Sequence, residues 1–119
     1  MSKYKNIRAM ADGYHFDSQV ERDRYLQLKY LQQEGEIYGL TLQPTFIILP
    51  AFTCWGKRIR QVTYTADFKY TEIGQTEGDS AIVVEDVKGG TAKLTEAFGI
   101  RWKFVRAQNP SIRFEIVRM

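Results

Sequence analysis

The sequence predicts an α/β domain in which a mixed central sheet is flanked by helices. Three observations predict it. A capped amphipathic segment lies near the N-terminus, a run of short β-branched and aromatic segments follows, and a second helical pattern separates the last two strand-like segments. The order is α-β-β-β-α-β, and the helix between the last two strands lets them run parallel, since parallel neighbours need a crossover on the order of a dozen residues.

The elements follow in order. The chain of 119 residues has the length of one domain with a hydrophobic core, so a single domain is expected over residues 1–119. Residues 1–9, with Lys3, Lys5 and Arg8, read as a flexible basic arm, and Asp12-Gly13 is a turn signal between two short extended pieces. Ser18 followed three residues later by Glu21 forms a capping-box pattern, and Gly35 marks the stop of that helix. Val20, Tyr25, Leu28 and Leu31 share one side of it, and a rotation of about 100° per residue puts Glu21 between Leu28 and Tyr25, inside the apolar stripe.

After Gly35 the texture turns to strands. Residues 36–49 are rich in β-branched and aromatic residues and are interrupted at Pro44 and then Pro50, while Trp55-Gly56-Lys57 reads as a hairpin tip. From Arg60 to Tyr70 the chain alternates, with Val62, Tyr64, Ala66, Phe68 and Tyr70 predicted on one face and Thr63, Thr65, Asp67 and Lys69 on the other. A polar turn over 74–80 leads into a strand at 81–88, which Gly89-Gly90 ends. Thr91 is the expected cap of a second helix that runs to about Gln108 and buries Leu94, Phe98, Trp102 and Val105; Gly99 weakens it, and Asn109-Pro110 stops it before a last strand.

Composition narrows the function classes. With 44% hydrophobic and 26% charged residues the chain falls in the ordinary globular range, and no apolar run approaches the length of a membrane span. The basic N-terminus lacks the apolar core of a secretory signal, and a single cysteine, Cys54, excludes an internal disulfide or a cysteine-built zinc site and suits the cytoplasm. One histidine, His15, leaves no His cluster or Ser-His-Asp arrangement and reads as a surface or turn residue. The net charge is +3, with positive clusters at 3–8, 57–60 and 101–106 that can neutralise phosphates; from charge alone a solvated surface is the preferred reading, so charge permits the partner without deciding it.

The strand at 81–88 carries the chemistry. Side chains two apart on a strand share a face about 7 Å apart, so Asp86 and Lys88 project together while Glu85 points to the opposite side. The hydrophobic Ile82-Val83-Val84 run should be buried, which places the charged pair at the rim of a sheet, and the following glycines leave room for a ligand. Mg²⁺ takes hard oxygen ligands and keeps several waters. Asp67 and Asp86 from neighbouring strands are candidate ligands, with a strand carbonyl as a third; Lys88 is then placed to orient water or offset transition-state charge, and Glu21 to complete the site from the helix. Competing readings exist for each: an exposed Asp-x-Lys ion pair worth about 0–1 kcal/mol, an Asp67 on a solvated face, and a Glu21 that only caps its helix.

Taken in order, these residues resemble the PD-(D/E)xK nuclease superfamily, with its restriction-endonuclease-like fold. Thr65-Ala66-Asp67-Phe68 is similar to its first acidic strand motif, with Ala66 in place of the proline, and Glu85-Asp86-Val87-Lys88-Gly89 to its second. More narrowly, Phe16-Asp17-Ser18 with Glu21, Leu42-Gln43-Pro44 and the helix ending Trp102-Lys103-Phe104 make the chain resemble a family of short phage and prophage proteins of that superfamily. The resemblance implies Glu21, Asp67, Asp86 and Lys88 as catalytic residues, with Asp67, Asp86, Glu21 and the Val87 carbonyl around Mg²⁺, for which Mn²⁺ substitutes. It adds Lys103 as a phosphate contact. Lys57, Arg58 and Arg60, in a basic hairpin with Trp55 at its tip, suit contact with DNA or with an unpaired base, and equally suit a charged sheet edge that discourages aggregation.

The expectation is therefore a metal-dependent DNA endonuclease of phage or prophage origin, working in the bacterial cytoplasm on recombination, repair or genome processing. Branched DNA is the substrate such small nucleases often take, frequently as homodimers. A non-catalytic nucleic-acid-binding module with the same fold is the alternative, and an interaction protein whose acids are caps and surface ion pairs is the third.

Overall fold

The computed structural model describes residues 8–76 and 78–119. Strands β1 (Ala9–Ala11) and β2 (Tyr14–Phe16) pair antiparallel around Asp12 and Gly13, both at positive φ (51° and 81°) as a two-residue hairpin turn of primed type requires. The expected arm over residues 1–9 does not include Ala9, which belongs to β1. Ala9 is buried and pairs with Phe16, because its small side chain faces inward beside a core aromatic. Residues 1–7, the rest of that arm, lie outside the described residues.

Helix α1 (Gln19–Gln33) starts at Ser18, whose Oγ accepts the Glu21 N–H at 3.3 Å. It ends with Gly35 at φ 79°, where the Gly35 and Glu36 N–H groups return to the Gln32 and Leu31 carbonyls, a glycine-terminated double cap. Tyr25 and Leu28 are its buried residues, with Val20 and Leu31 packed beside them, as the apolar spacing predicts.

Pro44 and Pro50 interrupt the following strands where expected: β3 (Ile37–Leu42), β4 (Thr45–Leu49) and β5 (Phe52–Cys54). β5 turns through Trp55 and Gly56, both at positive φ, into β6 (Lys57–Ile59), and among the described residues these two strands pair only with each other. β7 (Val62–Thr65), β8 (Phe68–Glu72), β9 (Ala81–Lys88), helix α2 (Glu96–Gln108) and β10 (Ile112–Arg118) complete the chain. The main sheet has the order β10-β9-β8-β3 and is mixed, with β10 parallel to β9 and the other neighbours antiparallel; β4 and β7 form a separate antiparallel pair.

Two hydrophobic cores lie on opposite faces of β9. Val83 and Val87 pack with Tyr25, Leu28 and Phe68 on the α1 side; Val84 packs with Tyr64, Trp102 and Val105 on the α2 side. The protein is therefore mixed α/β, with a sheet-rich centre between two helices. Among the described residues no helix is long and apolar enough to cross a membrane.

Two further sequence expectations are corrected. The alternation over residues 60–70 is not one continuous strand: Val62, Tyr64 and Ala66 join the α2-side core, whereas Phe68 and Tyr70 join the α1-side core. The reason is local. In a regular strand one residue presents N–H and C=O to the same edge, but Asp67 donates its N–H to the Glu85 carbonyl (3.0 Å) and accepts from Gln43 (2.9 Å) on the other side. That irregularity separates β7 from β8 and reverses which face each even-numbered residue meets.

The second correction concerns α2. Its N-cap is Thr95, whose Oγ1 accepts the Phe98 N–H at 3.1 Å, and not Thr91. The chain after β9 is held against the end of β10, with Met119 donating to the Lys88 carbonyl and Gly90 to the Met119 carbonyl, so helical geometry begins only beyond that attachment. Leu94 consequently precedes the helix and is exposed, while Trp102 and Val105 are buried on it.

Candidate active site

The break between β7 and β8 creates the site. One step beyond the last matched pair, Phe68 opposite Glu85, stand Asp67 and Asp86, and both line one cleft where the β8 ladder opens. Asp67 replaces the missing ladder bond with its side chain: Oδ2 accepts the Val87 N–H at 2.7 Å. Asp86 is 6% exposed, and its two oxygens are divided between the Tyr64 hydroxyl (2.6 Å) and the Lys88 ammonium (3.0 Å). The Lys88 Nζ also sits 4.3 Å from the centre of the Phe98 ring, so an ion pair and a cation–π contact fix it from two sides.

Glu21 reaches the same place from α1. Its Oε1 accepts from the Ser18 hydroxyl at 3.3 Å, and its side chain lines a cleft of about 420 Å³ together with Asp67, Asp86, Lys88 and Arg101. Ser18 makes the cap, and Glu21 holds that capping hydroxyl while it lines the cleft. Val87 lines the cleft as well, although its side chain packs in the α1-side core, so its main chain is what faces the opening. The Glu85 carbonyl and the Val87 N–H both go to Asp67; by strand alternation the Val87 carbonyl is directed to that same edge, past the end of the β8 ladder.

Electrostatics mark the acids as crowded. Burial pushes the Asp67 carboxyl up to about 7 against the Val87 N–H, which lowers it, and the Glu21 and Asp86 charges add to the rise. Burial also raises Glu21, followed by repulsion from Asp17; the Ser18 hydroxyl opposes the rise, and Asp86 adds to it more weakly. The Tyr64 hydroxyl is raised by burial and by its bond to Asp86, which keeps it a proton donor to that carboxylate.

Among the described residues no three His, Cys, Asp or Glu side chains come close enough to hold a metal ion by themselves. The donors that do line the cleft are hard oxygens, the Asp67 and Asp86 carboxylates and the Val87 main chain; Lys88 answers Asp86, and burial holds the Asp67 carboxyl high. That set suits Mg²⁺, which accepts one or two carboxylates and retains water, and does not suit a cage supplied wholly by protein.

The basic residues divide. Arg101, on the face of α2 toward the cleft, lines it; Lys103, two residues on and thus about 200° round the helix, is exposed and does not. Lys57 and Arg58 on β6, and Arg60 after it, are exposed on the hairpin and do not line the cleft either, and Trp55 at its tip is 98% exposed.

A second constellation lies on the opposite face of β9. Glu85, 1% exposed, takes both forks of Arg24, at 2.7 and 2.6 Å, and the Tyr70 hydroxyl. Arg24 stands three residues after Glu21 on α1, so this bidentate pair ties the helix that carries Glu21 to the strand that carries Asp86. Sequence reasoning placed Glu85 on the correct face without a partner; a carboxylate inside a buried strand signals that one exists. Tyr64, Phe98 and Arg101 carried no sequence signal beyond their place in apolar or basic patterns.

No curated protein and no solved structure matches the chain. Over its full length, residues 1–119, it matches the family described as protein of unknown function (DUF1064), and the chain belongs to that family.

Proposed function

We propose that the protein is a Mg²⁺-dependent DNA endonuclease of the PD-(D/E)xK type with a restriction-endonuclease-like core. The observation that carries this reading is the meeting, in one cleft, of Asp67 at a strand break, Asp86 and Lys88 on the next strand, and Glu21 from the preceding helix. Asp67, Asp86 and the Val87 carbonyl would hold the cation, and Glu21 would act through water from the other wall. When bound, Mg²⁺ neutralises charge building on the phosphate and makes water a stronger nucleophile. Lys88, held by Asp86 and Phe98, supplies ammonium hydrogens to orient that water or to stabilise the phosphate oxygens. Tyr64 keeps Asp86 aimed, and Arg101 at the rim offers a planar donor to a flanking phosphate.

Mn²⁺ should substitute for Mg²⁺, since both accept oxygen donors. Branched DNA met by a homodimer, in a phage-infected or lysogenic bacterium, is the setting we favour. Lys57, Arg58, Arg60 and Lys103 would then meet DNA beyond the cleft and not at the scissile phosphate.

Two observations favour a second reading, a DNA-binding module without catalysis: Lys88 already neutralises Asp86, and among the described residues no three-carboxylate cluster is closed. The two are separated by incubating wild type and Lys88→Ala with duplex, single-stranded, flap and four-way-junction DNA, with Mg²⁺ or Mn²⁺. The nuclease reading expects cleavage that Lys88→Ala lowers by about 100-fold or more while affinity stays within a few-fold. Binding without cleavage by wild type on every substrate would sink it.

A further inference from the structure

The catalytic acids of the proposed nuclease have a cavity behind them as well as a cleft in front. Glu21 and Asp67 line both the cleft with Lys88 and a second cavity of about 250 Å³. The other walls of that cavity are Tyr14 and His15 from the β1–β2 hairpin and Leu42 and Gln43 from the end of β3, over the buried rings of Phe16 and Phe68. The volume is small for a drug-sized ligand, whose pockets run from about 300 Å³ upward, and suits a single planar group.

The lining is specific in chemistry. The Tyr14 side chain is half exposed, and its ring is fixed edge-on to Tyr25 at 5.8 Å, so a flat partner can stack on it without moving the hairpin. Gln43 is exposed and, among the described residues, is one of three non-glycine residues at positive φ (51°). The other two, Asp12 and Trp55, sit in two-residue hairpin turns; Gln43 instead bonds its N–H to the Asp67 carbonyl, so its strain is tied to the residue at the strand break. Its amide then offers a donor and an acceptor at the cavity mouth.

We infer that this second cavity receives an unpaired nucleobase of the nucleotide next to the scissile phosphate, stacked on Tyr14 and hydrogen-bonded at its edge by Gln43. The inference rests on the nuclease reading for its phosphate, and it sharpens the substrate: a base held there has left its helical stack, so flaps, junction arms or single strands are cut and fully paired duplex is not. An aromatic platform with one amide tolerates any base, which predicts structure selectivity with weak sequence preference.

The test uses the full chain in two assays. In the first, the base flanking the cleaved phosphate is removed by abasic substitution, one position at a time on each side. The expected result is one position at which the abasic lesion lowers kcat/KM about tenfold in wild type and has no further effect in Tyr14→Ala or Gln43→Gly, the latter chosen because glycine accepts φ 51°. In the second, oligonucleotides carrying 2-aminopurine are titrated without metal. Stacking should quench the probe at that same position in wild type and in Lys88→Ala but not in Tyr14→Ala. Cleavage that is indifferent to every abasic position overturns the cavity assignment and leaves the nuclease reading intact. Absence of cleavage with Tyr14-dependent quenching retained overturns the nuclease reading and supports the cavity as a base-binding site.

Discussion

The Asp67 carboxylate accepts the Val87 main-chain N–H at 2.7 Å, at the point where a backbone carbonyl of a continuous strand would otherwise have done so. This makes Asp67 a structural element and a site residue at once. Asp67→Ala should leave that N–H without its partner and destabilise the protein by about 1–2 kcal/mol, whereas Asp67→Asn keeps an acceptor and costs less. Urea unfolding of the two variants measures the difference, and equal losses would refute the structural half of the claim.

The same carboxyl links stability to pH. Its folded value of about 7 lies above its ordinary 3.8, so the native state holds that proton more tightly than the unfolded chain. The stabilisation is full below about pH 4 and is lost as pH rises through about 7; Glu21, also raised, contributes in the same direction. Without metal, Tm should fall by several degrees between pH 5 and 8, at about 4 °C per kcal/mol for a chain of this length. Asp67→Asn should flatten most of that slope, and adding Mg²⁺ at pH 8 should restore Tm in wild type but not in the variant. A slope unchanged in Asp67→Asn would assign the effect elsewhere.

Arg24 and Glu85 give a second, independent prediction. Arg24→Ala strands a carboxylate that is 1% exposed with only the Tyr70 hydroxyl beside it. The expected loss is about 3 kcal/mol, at the low end for a buried pair because the Arg24 side chain is one-fifth exposed. The double variant Arg24→Met with Glu85→Leu should recover most of it, since no charge is left unpaired. Chemical denaturation reads both, and a double variant less stable than Arg24→Ala would show that Glu85 does more than answer Arg24.

The start of α2 is testable by its cap. Thr95→Ala should cost about 1 kcal/mol, because the Phe98 N–H loses its acceptor, while Thr91→Ala should be neutral within about 0.5 kcal/mol. Thermal melts of the pair distinguish the two cap positions directly.

The sequence by itself determined the elements whose signals are local. Ser18 with Glu21 and Gly35 bound α1, Asp12-Gly13 made a hairpin, Pro44 and Pro50 cut the strands, and the helix between the last two strands produced a parallel β9–β10 pair. It also placed Asp86 and Lys88 together, since strand alternation is a property of the backbone. What it could not hold was any feature set by a neighbour distant in the chain. The reversal at Asp67 depends on Glu85 and Gln43 taking its N–H and C=O to opposite sides, and the late start of α2 depends on Met119 holding the loop after Lys88. The pairing of Glu85 with Arg24, 61 residues apart, and the choice of Arg101 over Lys103 as the basic residue of α2 at the cleft, both required the packed sheet. Hydrogen-bond partners and burial are decided by which surfaces meet, and only tertiary structure brings those surfaces together.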